Sequence, residues 1–283
     1  MRRTHCFLAA MLLVVTVLLI VIPSRVQAIV YGFVDTNNVF TNTGAFVVQS
    51  PTSDESFPIC SGTLISPTVF LTASHCTLFF ENDLAPLGYT AFVSFDSAIP
   101  FGDLTSRRTN LIPVTQVVTN PNFNQSQSDP GDIAVLIVRE QSTRGITPAI
   151  LPPAGLLDQL SAQNGLQNAV FTPVGYGVQN RVTGGGPPFF LDLNPVPRMY
   201  AFSSFNSLNK AFLHLSQNPS TGNGGACFGD SGGQNFFNYN GVRLLAAITI
   251  TGDAVCRSTN TTYRLDIASA RNFLAPYVTL PLP

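Results

Sequence analysis

The fold class this sequence predicts is all-β, and three observations carry that expectation. Short runs of β-favouring residues recur along the chain with turn residues between them. Charged residues make up only 10% of the sequence, whereas Gly and Pro are abundant (22 and 21 residues), a balance that suits many short strands and turns better than long charged helices. Helical periodicity is confined to one stretch near the end.

The runs, in order, are GAFVVQS, GTLISPTVFLTAS, YTAFVSF, LIPVTQVVTN, DIAVLIVR, NAVFTPVGYG, KAFLHLS and VRLLAAITI. Their spacing fits sandwiches or barrels and argues against βαβ units. Length leaves one large core or two smaller ones open. The segment QSTRGITPAILPPAGLLDQL, rich in Pro and Gly, is the expected crossing between two halves, and TGGGPPFFLDLNPVP reads as a surface loop. A helix is expected from Asp266 to Tyr277, with Ile267, Ala270, Phe273 and Leu274 on one face.

The first 28 residues place Arg2 and Arg3 ahead of an apolar run from Phe7 to Ile22, followed by Pro23 and a small-residue end, VQA. This is the layout of a secretory signal cleaved after Ala28, so the protein is expected to be secreted, without stable membrane association once the signal is removed. Loss of Arg2, Arg3 and Arg25 leaves 11 basic residues of the original 14 against 15 acidic ones, a balance of about -4 that offers nucleic acid no basic surface. A monomer is expected. The mature chain retains Cys60, Cys76, Cys227 and Cys256, an even set that favours two disulfides in an exported protein. Three pairings are possible, and the simplest joins 60 to 76 and 227 to 256; each such bridge stabilises by roughly 3 kcal/mol on the loop-entropy argument. No second Cys and His cluster supports a metal, and no cofactor is implied. Asn124-Gln-Ser126 and Asn260-Thr-Thr262 match the glycosylation sequon in expected loops.

Two histidines remain after signal removal. His214 alternates inside a strand pattern and reads as structural, whereas His75 ends a β-like run beside a cysteine able to pin its loop. A serine hydroxyl attacks poorly until a base takes its proton, and the base needs an acid to hold its tautomer and stabilise the imidazolium. Asp132, directly before the apolar run IAVLIV, is better placed for that than Asp129, which sits beside a proline as a turn former. The serine candidate is Ser231, in CFGDSGGQ. GDSGG also satisfies the G-x-S-x-G nucleophile elbow, but that architecture orders its triad Ser, acid, His, and no histidine follows Ser231.

Together these segments resemble the trypsin-like, chymotrypsin-fold serine endopeptidases over nearly all of the mature chain. LTASHC is similar to that family's TAAHC, GDIAVLIV to its DIALL, CFGDSGGQ to its GDSGGP, and IVYG at Ile29 to its IVGG start; VGYG and YRLDIASARNFL resemble its GWG element and closing strand and helix. The resemblance implies two six-stranded Greek-key β-barrels, residues 29–145 and 146–283, with the active site in the cleft between them and a short C-terminal helix. It also implies protein or peptide substrates, a His75, Asp132 and Ser231 triad, an oxyanion hole from the Gly229 and Ser231 amides, and pairing of the Ile29 ammonium with Asp230.

The sequence departs from the family pattern at several points. Ala28, not Lys or Arg, precedes Ile29, so signal cleavage itself is expected to expose the active terminus, and Tyr31 replaces a glycine. Gly225 stands where a basic-specific relative carries aspartate at the pocket base, so preference for Lys or Arg is not implied; with Thr249 to Gly252 as the opposite wall, a neutral pocket for apolar or small side chains is expected. The competing reading is an inactive homologue serving as a binding module.

Overall fold

The computed structural model describes residues 29–53, 55–100, 102–103, 110–124, 126–178, 181–182, 189–190 and 194–282. The expected signal, residues 1–28, lies outside the described residues, as does most of the expected loop over 183–197. The all-β expectation holds. Strands Thr43–Gln49, Glu55–Ser66, Val69–Thr72, Thr90–Ser94 and Ala134–Ile137 form a sheet that curls into a half-barrel. Its two edges are the halves of one bent segment: Ile112–Pro113 pairs with Thr90–Ser94, and Gln116–Thr119 pairs with Ala134–Ile137.

The second sheet closes on itself. Strands Val170–Gly175, Ser203–Leu208, Phe212–Ser216, Thr259–Arg264, Val242–Gly252 and Gln234–Tyr239 follow one another around a six-stranded barrel, and pairing of the last with the first completes the ring. The short strand Phe33–Val34 crosses from the amino-terminal side to join this sheet through Met199–Tyr200.

Period-2 alternation sorts strand residues between cores, except at a bulge where Ala246 and Ala247 both enter the second-barrel core. Phe70 and Leu136 pack with Phe46, Val48 and Val93 inside the first sheet, whereas their neighbours Leu71 and Val135 turn outward. In the second barrel Ala247 points inward with Phe171, Leu213 and Leu215, and Ile248 points outward. The outward set meets Leu245, Tyr263, Leu265 and Leu274 in a third core between the sheets. A strand buried on both faces reads as a continuous apolar run, which is why DIAVLIVR shows no alternation.

The closing helix runs from Ala268 to Leu274, shorter than the Asp266–Tyr277 expected. Asp266 is committed elsewhere, accepting from Arg264 and from the amide of Leu157, and Ile267 is extended. Pro276, which has no N–H to donate, follows the other end. Helices Ser74–Phe79 and Leu156–Ala162 were not legible as helices in the sequence, since six or seven residues carry too few turns for periodicity to register and such helices form only through tertiary contacts. Asn260 corrects a second expectation. It lies in a strand rather than a loop, is buried, and donates to Asn235 Oδ1, so its sequon is inaccessible; Asn124 is exposed.

A buried ion pair joins the sheets. The Arg198 guanidinium donates to Asp35 Oδ2 at 2.9 Å, to the Thr43 and Phe95 carbonyls at 3.1 Å each, to the Tyr176 hydroxyl and to Asn38. Removing one partner of such a pair strands the other charge. Asp35→Ala is expected to lower unfolding free energy by about 3–5 kcal/mol in urea titration, whereas exposed Asn37→Ala changes it little.

Candidate active site

The candidate site is assembled from three turns. Val69–Thr72 ends in a helix whose second residue is His75. Cys76, the next residue, is bonded to Cys60 on the Glu55–Ser66 strand, so the helix start is covalently tied to the sheet. Ser74 adds a second tie: its hydroxyl donates to the Ile133 carbonyl at 2.7 Å and accepts from the Asn120 amide. That contact brings the Asp132 turn against the helix.

Asp132 grips His75 at two points. Oδ1 accepts the backbone N–H of His75 at 3.0 Å, and Oδ2 lies 2.8 Å from Nδ1. A carboxylate only accepts, so Nδ1 is the donor of this pair and Nε2 is the ring nitrogen that Asp132 leaves unengaged. Asp132 is buried while a third of the imidazole side chain (35%) remains exposed, which lets the ring meet a substrate without releasing its acid. His214, the other histidine among the described residues, instead contacts Thr261 Oγ1 and Asn209 Nδ2 on the second barrel, and burial lowers its pKa. Asp129 forms a turn with the Gly131 amide and accepts the Tyr263 hydroxyl at 2.7 Å.

Ser231 sits in the turn between Cys227, bonded to Cys256, and the strand from Gln234. Gly229 and Gly232 take φ of 89° and 77°, a region that penalises any side chain. Within the turn, the Asp230 amide donates to Cys227, that of Gly232 to Thr249 and that of Gly233 to Asp230. No acceptor among the described residues reaches the N–H of Gly229 or of Ser231. These two donors, two positions apart in the turn, are available to an oxygen from outside.

His75 and Ser231 line one cleft of about 380 Å³ together with Ile59, Phe79, Phe228 and Ile250. Among the described residues no hydrogen bond joins the Ser231 hydroxyl to the ring. Thr249 to Gly252 line the same cleft. Gly225 does not: it bridges Val30, and a Cβ there would collide with the Gln217 side chain. Sequence reasoning missed Asp253, which also lines the cleft. Burial works against its charge, but the amides of Arg257, Thr259 and Ser258 and the Gln217 side chain outweigh that and hold its pKa down. The sulfurs of Cys60 and Cys76 lie near the imidazole, but they are bonded to each other and offer no thiolate.

Asp230 is the electrostatic anomaly of the site. Its carboxylate is buried and accepts from the amides of Cys227 and Gly177 at 2.9 and 2.8 Å, with no cation partner among the described residues. Burial pushes its pKa up to about 7, against the pull of those two amides. Ile29 is itself fully buried, packed on Met199 and Ala201, and in the full chain its nitrogen is an amide.

The sign of the resulting pH dependence follows directly. A carboxyl with a raised native pKa holds its proton in the folded state where the unfolded chain has lost it, so stability falls as pH rises between the two values. For the chain still carrying residues before Ile29, stability is expected to drop by about 4 kcal/mol between pH 4 and pH 7 and to level off above. Denaturant titration across that window checks it, and Asp230→Asn should remove the slope.

The chain matches the family model described as Trypsin over residues 34–274, a span that contains His75, Asp132 and Ser231. It therefore belongs to the trypsin-like, chymotrypsin-fold family of serine proteases.

Proposed function

We propose that this chain is a secreted serine endopeptidase in which His75, Asp132 and Ser231 hydrolyse peptide bonds through an acyl-enzyme. The observation that carries the proposal is the two-point hold of Asp132 on His75, beside a serine whose turn leaves two amides unpaired. Ser231 Oγ attacks the scissile carbonyl while its proton passes to His75 Nε2, and the carbonyl electrons move onto an oxyanion that accepts from Gly229 and Ser231 N–H. Collapse of that intermediate expels the amine, which takes the proton from His75; water, deprotonated by the same nitrogen, then releases the acyl group. Residues 29–145, apart from the Phe33–Val34 strand, carry the half-barrel and residues 146–283 the closed barrel, and their junction forms the cleft. Protein or peptide substrates enter a monomeric enzyme.

Activation follows from the buried acid. Cleavage after Ala28 converts the Ile29 amide into an ammonium, the cation that Asp230 lacks, and their pairing orders the oxyanion turn. Specificity is neutral, for apolar or small side chains, with the wall from Thr249 to Gly252 as its determinant; Gly225, expected at the pocket base, does not line the cleft. Gly225 supplies no charge, and the Asp253 carboxylate is already engaged by three amides and an amide side chain.

A fluorophosphonate probe is expected to label Ser231, with labelling abolished in Ser231→Ala and His75→Ala; an unlabelled but folded protein would favour the inactive binding module. Asp132→Asn should lower kcat by about 10⁴-fold through the wrong histidine tautomer. Amino-terminal sequencing of secreted protein should begin at Ile29, and a peptide-library profile dominated by Arg and Lys would defeat the specificity proposal.

A further inference from the structure

The carbonyls of the serine turn are all occupied, and two of them are held by one residue from the other sheet. Within 227–231, Cys227 O accepts from Asp230, Phe228 O from Val178, and Asp230 O from Gly233. The remaining two belong to Ser61. Its amide donates to Ser231 O at 2.9 Å, and its hydroxyl donates to Gly229 O at 3.0 Å. The same hydroxyl accepts from the Tyr176 amide at 2.9 Å. No rotor ambiguity exists here, because a carbonyl only accepts and an amide only donates.

Ser61 is fully buried and directly follows Cys60, whose bond to Cys76 anchors the helix of His75. Its own carbonyl accepts the Thr72 hydroxyl at 2.9 Å, at the end of the strand leading to that helix. The residue therefore links the support of the base to the support of the nucleophile. The hydroxyl acts on Gly229, whose positive φ sets the direction of one unpaired amide. The Phe228–Gly229 peptide is held at its carbonyl by Val178, and the Gly229–Asp230 peptide at its carbonyl by Ser61 and at its N–H by Cys227. With both flanking peptide planes clamped, glycine's freedom to rotate is removed where an oxyanion donor needs a fixed direction.

We infer that the Ser61 hydroxyl is a positioning residue for the oxyanion hole, acting through the Gly229 carbonyl to fix the Gly229 N–H for the tetrahedral intermediate. The inference rests on the serine-peptidase reading and extends it to a residue that touches no reacting atom. Its signature is selective: a donor that drifts stabilises the transition state less and leaves substrate binding almost unchanged.

The test compares wild type with Ser61→Ala, which keeps the amide that holds Ser231. On a peptide substrate, kcat is expected to fall about 10- to 100-fold with KM within about twofold. Affinity for a peptide boronic acid, whose adduct is tetrahedral, should weaken by the same factor as kcat, whereas a substrate-like peptide that forms no adduct should bind as before. Unchanged kcat and boronate affinity in a folded variant would overturn the inference, as would a loss of thermal stability alone. Ser61→Gly carries the same expectations should the alanine variant not fold. Failure of a fluorophosphonate to label the wild type would instead overturn the peptidase reading beneath both.

Discussion

The Arg198 guanidinium has no contact with water, so every one of its donors has to find an acceptor inside the protein, and those acceptors come from different parts of the chain. Asp35 lies on the amino-terminal segment, Thr43 opens a strand of the first sheet and Phe95 directly follows another, while Tyr176 and Arg198 itself directly adjoin strands of the second. An ion this costly to bury is satisfied in one relative placement of these parts. The cleft depends on that placement, since His75 and Asp132 are carried by one sheet and Ser231 by the other. Apolar packing between the sheets supplies cohesion without direction; the hydrogen bonds around Arg198 supply direction.

Carboxylates in and behind the cleft show how environment alone separates roles. Asp132 is buried but faces a ring that donates to it. Asp253 is partly exposed and saturated by backbone amides, which hold its pKa down and leave little for a ligand. Asp230 has two amides and no cation, and burial prevails, so its carboxyl lies near neutrality. The same side chain thus meets an imidazole, a ring of loop amides, or two amides in a dry setting, and its ionisation follows what surrounds it.

Much of the candidate site was legible in the sequence because the features that support it are local to each segment. Glycines at Gly229 and Gly232 mark a turn with positive φ, a cysteine beside His75 marks a pinned helix, and an apolar run after Asp132 marks a buried strand. Both disulfides follow the simplest local pairing. Ser61 was not legible. A serine after a cysteine looks like any strand residue until the partner turn, more than 160 positions away, comes to rest on it. Asn260 failed in the opposite direction, since a sequon carries no information about burial.

What the sequence determined by itself was the class of structure and the chemistry on offer: period-2 runs and turn residues specify strands, and His, Asp and Ser in suitable local settings specify reactive groups. Tertiary structure alone decided that the Phe33–Val34 strand joins the far sheet, that the Gln217 side chain packs against Gly225, that Asp230 is buried without a cation, and that one serine hydroxyl spans the seam. The physical reason is that propensity and periodicity act over a few residues, whereas desolvation and hydrogen-bond satisfaction depend on which distant groups arrive at the same place.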